Sequence, residues 1–248
     1  MTANAQAMYA GLPPTVRAKI EAWKDAVASK LGEDLVAILL TGGVARGDYR
    51  PGESDITAIV VVKDASFAKL DAISAATQDA RYGARIAPTF LTAAEIPGAG
   101  DAFPLLYDEI KRFNIVIHGS DPFAQVVVHD THRRLRIEQE LREAQVWLRR
   151  AVTDAMGAHE AVGGSVARKI RQVRRPLAAL LKLRAIACKD DVASVFAAAG
   201  QRYRVDVTAL ATPREKAEAA HDALTKVLAA AIADVEAASS GPGSLRSS

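Results

Sequence analysis

Apolar positions change their period along this chain, and the changes mark its elements. Val16, Ile20, Trp23, Val27 and Leu31 recur at helical spacing, which predicts an amphipathic helix with Thr15 as its N-cap and Gly32 as its stop. Leu35 to Leu40 is then almost continuously apolar, as a strand covered on both faces should be. A Gly42-Gly43 turn, a short helix-like segment and a Pro51-Gly52 loop lead into a second strand that opens on Ser54-Asp55 and runs to Val62. Phe67, Leu70, Ile73, Ala76 and Thr77 predict a helix ending near Gly83. Arg85 to Leu91 reads as a third strand, and Pro88, lacking a backbone donor, places it at a sheet edge or a bulge. An amphipathic segment from Phe103 to Phe113, a short strand "NIVIHG" and the turn "SDPF" complete this half.

Beyond His129 only the helical period remains. Leu135, Leu141, Val146 and Leu148 belong to one long helix, and Ile170, Val173, Leu177, Leu180, Leu181 and Leu183 to another, in which Pro176 predicts a kink. Val192 to Ala199 predicts a third. A last helix is announced by Thr212 as N-cap, Pro213 at its first position and Glu215 at its third. The final "SSGPGSLRSS" is an expected disordered tail.

Composition narrows the class. Half of the residues are apolar (50%), enough to bury a core in one or two domains. Cys188 is the single cysteine, which excludes internal disulfides and a cysteine-based zinc cluster, and its apolar setting suggests core packing. No apolar run reaches the length of about eighteen residues needed to span a membrane, and the N-terminal stretch lacks the basic start and apolar block of a secretion signal, so the cytoplasm is the expected compartment. The net charge is +3, but basic residues concentrate between Arg133 and Arg184. That region, including Arg133, Arg134, Arg171, Arg174 and Arg175, can attract phosphates or nucleic acid. The plainer reading is that these arginines solvate helix faces, because aromatics are not interleaved among them.

The chemistry concentrates between Leu35 and Val62. Gly42 and Gly43 lack a Cβ, so an anion can approach their backbone amides, and a following helix N-terminus would add partial positive charge. Asp55 stands at the mouth of a strand, on the same face as Thr57, Ile59 and Val61. A carboxylate beside a glycine turn could accommodate a metal-bound triphosphate. His118, next to apolar residues and without a second histidine at metal-binding spacing, reads as an ordinary packed or surface side chain.

Thr41-Gly42-Gly43, Ala45-Arg46-Gly47 and Ser54-Asp55-Ile56-Thr57-Ala58 match, in order and spacing, the motif of the nucleotidyltransferase superfamily. The chain thus resembles the group that contains DNA polymerase beta, the aminoglycoside nucleotidyltransferases and the MNT-type antitoxins, and "IVIHGSDPF" is similar to the segment closing the catalytic domain in aminoglycoside-type members. The resemblance implies an α+β fold: a nucleotidyltransferase-like domain over 1–123, with a mixed sheet flanked by helices, then an all-α helical bundle over 124–238 and a tail over 239–248. It implies that Gly42, Gly43, Arg46 and Ser54 bind a nucleoside triphosphate, and that Asp55 is the catalytic residue and the ligand of magnesium. The implied reaction transfers a nucleoside monophosphate to an unknown acceptor. Thr57 departs from the family by standing where the second metal carboxylate belongs, and "RIAPTFL" supplies no third acid, so the metal site is reduced. The alternative is a catalytically inactive relative that binds nucleotide, nucleic acid or a protein partner. The basic helical half favours an anionic partner, and Glu138, Glu140 or Glu143 could serve an acceptor as base. The HEPN ribonuclease spacing is not matched by Arg150 and His159.

Overall fold

A computed structural model describes residues 3–239, with side chains over 5–237. It divides into two compact units, Met1–Val128 and His129–Ser248. The expected tail lies outside the described residues except for Ser239, which ends the last helix. No described helix is long and apolar enough to cross a membrane.

The first unit is a four-stranded mixed sheet with helices against it. A short helix α1 (Ala3–Ala10) and the amphipathic α2 (Pro14–Leu31) precede strand β1 (Leu35–Leu40). The five-residue α3 (Gly42–Arg46) and a loop connect it to β2 (Ile56–Val62), followed by α4 (Phe67–Ala72), α5 (Ser74–Ala84) and β3 (Ile86–Thr92). Helix α6 (Pro104–Arg112) and β4 (Ile115–Gly119) complete the sheet, whose order is β3-β2-β1-β4. β2 and β3 are parallel, while β1 is antiparallel to both β2 and β4. Pro88 therefore lies on an edge strand, where its missing donor costs least.

Alternation along the central strands feeds two cores. Ile38, Leu40, Ala58, Val60 and Val62 pack with Ile20, Trp23, Val27 and Leu31 of α2, whereas Ala37, Leu39, Ile59 and Val61 pack with Tyr107 and Ile110 of α6 and with Phe123. Both faces are covered, which is why β1 reads as a nearly unbroken apolar run. Two details differ from the sequence reading. Helix α2 starts at Pro14 after Pro13, not behind a Thr15 cap, because proline at the first position needs no N–H partner. The segment after β2 is two helices meeting at buried Ile73, and Phe67 is 84% exposed instead of packing on the sheet.

The second unit is helical: α7 (Asp130–Asp154), α8 (His159–Leu183), α9 (Val192–Tyr203) and α10 (Ala217–Ser239). The buried stripe of α7 is Ile137, Leu141, Ala144 and Leu148, while Leu135 and Val146 of the same helix are mostly exposed. Helix α8 runs through buried Pro176 as one 25-residue element. The predicted start of the last helix at Thr212 is corrected to Ala217. Residues 212–216 form a turn whose backbone lies against α8 at Gly163, where a Cβ would stand 2.4 Å from the Pro213 carbonyl oxygen. Cys188 is exposed between α8 and α9 and is not a core residue, because α8 ends before it.

Candidate functional site

Three strand ends meet at one edge of the sheet: β1 leaves through Thr41, β2 enters at Ile56 and β3 enters at Ile86. Thr41 is buried, and its backbone N–H donates to the Thr57 carbonyl at 2.9 Å, which fixes the glycine turn to β2. Gly42 has φ +64°, a left-handed conformation open to glycine at little cost. A Cβ there would stand 3.2 Å from Thr57 Oγ1, so the turn and Thr57 are neighbours. At Gly43 a Cβ would stand 3.0 Å from Asp48 Oδ1, and α3 then closes on Gly47 in a left-handed cap.

Arg46, expected to face nucleotide, points to α6. Its Nη1 donates to Glu109 Oε1 at 2.6 Å and its Nη2 reaches Asp48 Oδ2 at 3.2 Å. Glu109 is 4% exposed, so the pair is a clasp between α3 and α6. Ser54 holds the loop before β2: its Oγ accepts from the Arg50 N–H at 3.2 Å and its own N–H donates to the Arg50 carbonyl at 2.9 Å.

Asp55 is exposed at the entrance to β2 and accepts from Arg85 Nε at 2.9 Å. Thr57 faces Ala87 in the β2–β3 register. Asp55, Thr57 and Ala87 thus bring one paired aspartate, a neutral hydroxyl and a methyl group to the entrances of β2 and β3. Among the described residues no group of three His, Cys, Asp or Glu side chains could hold a metal ion. Glu53 leans on Arg50 at 3.7 Å, and Asp64 accepts from the Ser66 N–H, which holds its carboxyl below the usual range. The donor set does not fit the magnesium pair of nucleotidyl transfer, which needs two or three convergent carboxylates.

Several arginines of the helical unit are paired within it. Arg134 pairs with Glu138, Arg136 with Glu140 and Arg150 with Asp154, each one helical turn apart. Arg142 bridges Glu138 and Glu236, and Arg184 and Arg202 share Asp234. Arg174 is buried on Asp190 and does not belong to a basic surface. Hydrogen bonds from Arg142, and then Arg134, hold the Glu138 carboxyl below its ordinary range, which suits an ion pair better than a base. Glu140 is bonded to Arg136, and Glu143 accepts from Gln139.

One feature of this unit was not legible in the sequence. Trp147 of α7 lies beside a groove of about 430 Å³ between α7 and α8, with the Arg150 guanidinium 5.1 Å and the Lys169 ammonium 5.6 Å from its ring centre. Burial lowers the Lys169 pKa. Trp147, itself within the basic stretch of the sequence, thus gathers cations from two helices.

No family profile matches the sequence, and no curated protein matches it. A structural likeness does exist. The chain is similar to spectinomycin adenyltransferase AAD(9) from Enterococcus faecialis, solved with ATP and spectinomycin, with a TM-score of 0.52 and 12% sequence identity over 88% of this chain and 98% of that one. At that identity the likeness shows the fold alone, which the chain shares with that adenyltransferase.

Proposed function

We propose that this chain is a nucleotidyltransferase-like protein that takes a nucleoside triphosphate at the Gly42–Gly43 turn, and that binding, ahead of transfer, is the function its geometry supports best. The observation that carries this is the seat of the turn: Gly42, left-handed and without a Cβ, is tied to β2 beside Thr57 and next to the Asp55 entrance. A close approach of phosphate to backbone needs such a bare turn. The structural neighbour was solved with ATP, which supports a nucleotide as the ligand.

Transfer of a nucleoside monophosphate to an acceptor is the second reading, favoured by a fold likeness that extends over 88% of the chain. In that reaction an acceptor hydroxyl attacks the α-phosphorus, the bond to the β-phosphate oxygen breaks, and pyrophosphate leaves. Divalent ions normally stabilise the charge that develops. Asp55 stands at the strand entrance to assist, and Arg85 already holds it. For this reason transfer stands second. The excess of basic residues in the sequence of the helical unit favours an anionic partner over a polycationic acceptor.

The test is a panel of nucleoside triphosphates, each with magnesium or manganese, assayed for binding and for pyrophosphate release. Binding without release is expected of the full chain. Sustained release would promote the transfer reading, and absence of binding to every triphosphate would remove the nucleotide reading.

A further inference from the structure

Arg85 caps α5 in a left-handed conformation, φ 56°, and its backbone is fixed from both directions. Its N–H donates to the Arg81 carbonyl at 2.9 Å, and its carbonyl accepts from the Ile56 N–H at 2.9 Å. From this anchor the guanidinium lies along the entrance of β2. Nε and Nη2 each stand 2.9 Å from Asp55 Oδ1, while Nη1 and Nη2 reach the carbonyls of Gly52 and Glu53 at 3.4 and 3.3 Å. One side chain therefore gathers a carboxylate and two carbonyl oxygens, the kind of oxygen set that a hard cation would otherwise collect.

We propose that Arg85 is the resident cation of this site: its guanidinium occupies the place on Asp55 that a divalent ion would take, and the site accepts a triphosphate without such an ion. The reasons are electrostatic. A lone exposed carboxylate is a poor magnesium ligand, since the ion is usually held by one or two carboxylates together with substrate phosphates. Thr57 and Ala87 offer no second anion to raise that affinity. A naked Asp55 beside the glycine turn would repel phosphate, whereas a paired one does not. The guanidinium is half exposed, 51%, and its planar fork suits phosphate as well as carboxylate, so it can turn donors toward an incoming triphosphate without leaving Asp55. Asp55 then acts as a positioning residue for Arg85. The metal half of the proposal stands alone, while the nucleotide half rests on the reading in the preceding subsection.

Manganese binding followed by electron paramagnetic resonance tests the metal half on the full chain, with circular dichroism confirming that each variant is folded. Wild type and Arg85→Lys should show no binding that depends on Asp55. Arg85→Gln, which frees Asp55 and the Gly52 and Glu53 carbonyls together, should bind manganese more tightly than wild type, and adding Asp55→Asn should remove the gain. A wild-type site that Asp55→Asn abolishes, equal in affinity to that of Arg85→Gln, would overturn the proposal whatever the nucleotide does. Calorimetry with ATP tests the other half. Wild-type affinity should be the same in chelator and in magnesium, and Arg85→Gln should lower the chelator value roughly tenfold or more, as loss of a charge-assisted bond does. ATP binding that requires magnesium in wild type would overturn this half. Failure of ATP to bind under any condition would sink the nucleotide reading itself, while the manganese series still decides the role of Arg85.

Discussion

Two of the guanidinium–carboxylate pairs in the sheet unit do opposite things. Arg46 and Glu109 are 16% and 5% exposed in their side chains and join α3 to α6, whereas Arg85 and Asp55 are 51% and 59% exposed and lie across the entrance to β2. The chemistry is the same and the surroundings differ. In the buried pair both charges have lost most of their water, so removing one partner takes away a contact that solvent cannot replace. In the exposed pair both charges remain hydrated, so the contact is cheap to rearrange and a ligand can compete for it. Burial thus separates the pair that supports the glycine turn from the pair that can answer to a ligand, although the family resemblance assigns Arg46 to the nucleotide and Asp55 to the metal.

The strongest way to break this comparison is Glu109→Ala, which leaves Arg46 buried beside Asp48 alone. Urea unfolding should show a loss of roughly 2–3 kcal/mol. A loss no larger than that of a surface pair would mean that burial does not distinguish the two. Gly42→Ala comes next. It forces φ +64° on a residue with a Cβ and places that Cβ 3.2 Å from Thr57 Oγ1, so a cost of roughly 1–2 kcal/mol is expected in the same assay. Gly43→Val should keep the fold, because the nearest obstacle is the movable Asp48 carboxylate at 3.0 Å, and should lower triphosphate affinity at least roughly tenfold. Unchanged affinity in that folded variant would remove the turn from the site. Arg85→Gln should change stability by at most about 1 kcal/mol.

The smallest effect concerns a carboxylate held by backbone instead of by a guanidinium. Asp191 caps α9, accepting from the Ser194 N–H at 2.8 Å, and this bond holds its pKa below the ordinary value. A depressed folded pKa means that the contribution to stability is full above the unfolded value and fades as pH falls through the folded one. Asp191→Asn, an equally good cap, should match wild type near neutrality and lose less stability in acid. Parallel acid unfolding curves for the two chains would contradict this.

The strands and the glycine turn were legible because they rest on local rules. Continuous apolarity at Leu35–Leu40 needs both faces covered, Pro88 needs an edge, and Gly42 needs a left-handed turn. What the sequence could not reveal depends on register and on neighbours. Arg85 lies 30 residues from Asp55, and they meet only because Ile56 pairs with Ile86 in parallel. Arg46 is claimed by Glu109 from a helix 63 residues away, a competition invisible to motif spacing. Trp147 and Lys169 come from different helices, so no periodicity within one segment brings them together. The late start of α10 follows from close backbone approach at Gly163, which the strong local signal of Thr212 and Pro213 could not anticipate.

Amide hydrogen exchange on the full chain, with and without ATP, tests the central claim most directly because it reports where the nucleotide sits. Exchange should slow only in the turn that follows β1 and at the entrances of β2 and β3, at Gly42, Gly43, Ile56 and their neighbours, in chelator as much as in magnesium. Protection that falls elsewhere, or that develops at this edge only when magnesium is added, would contradict it.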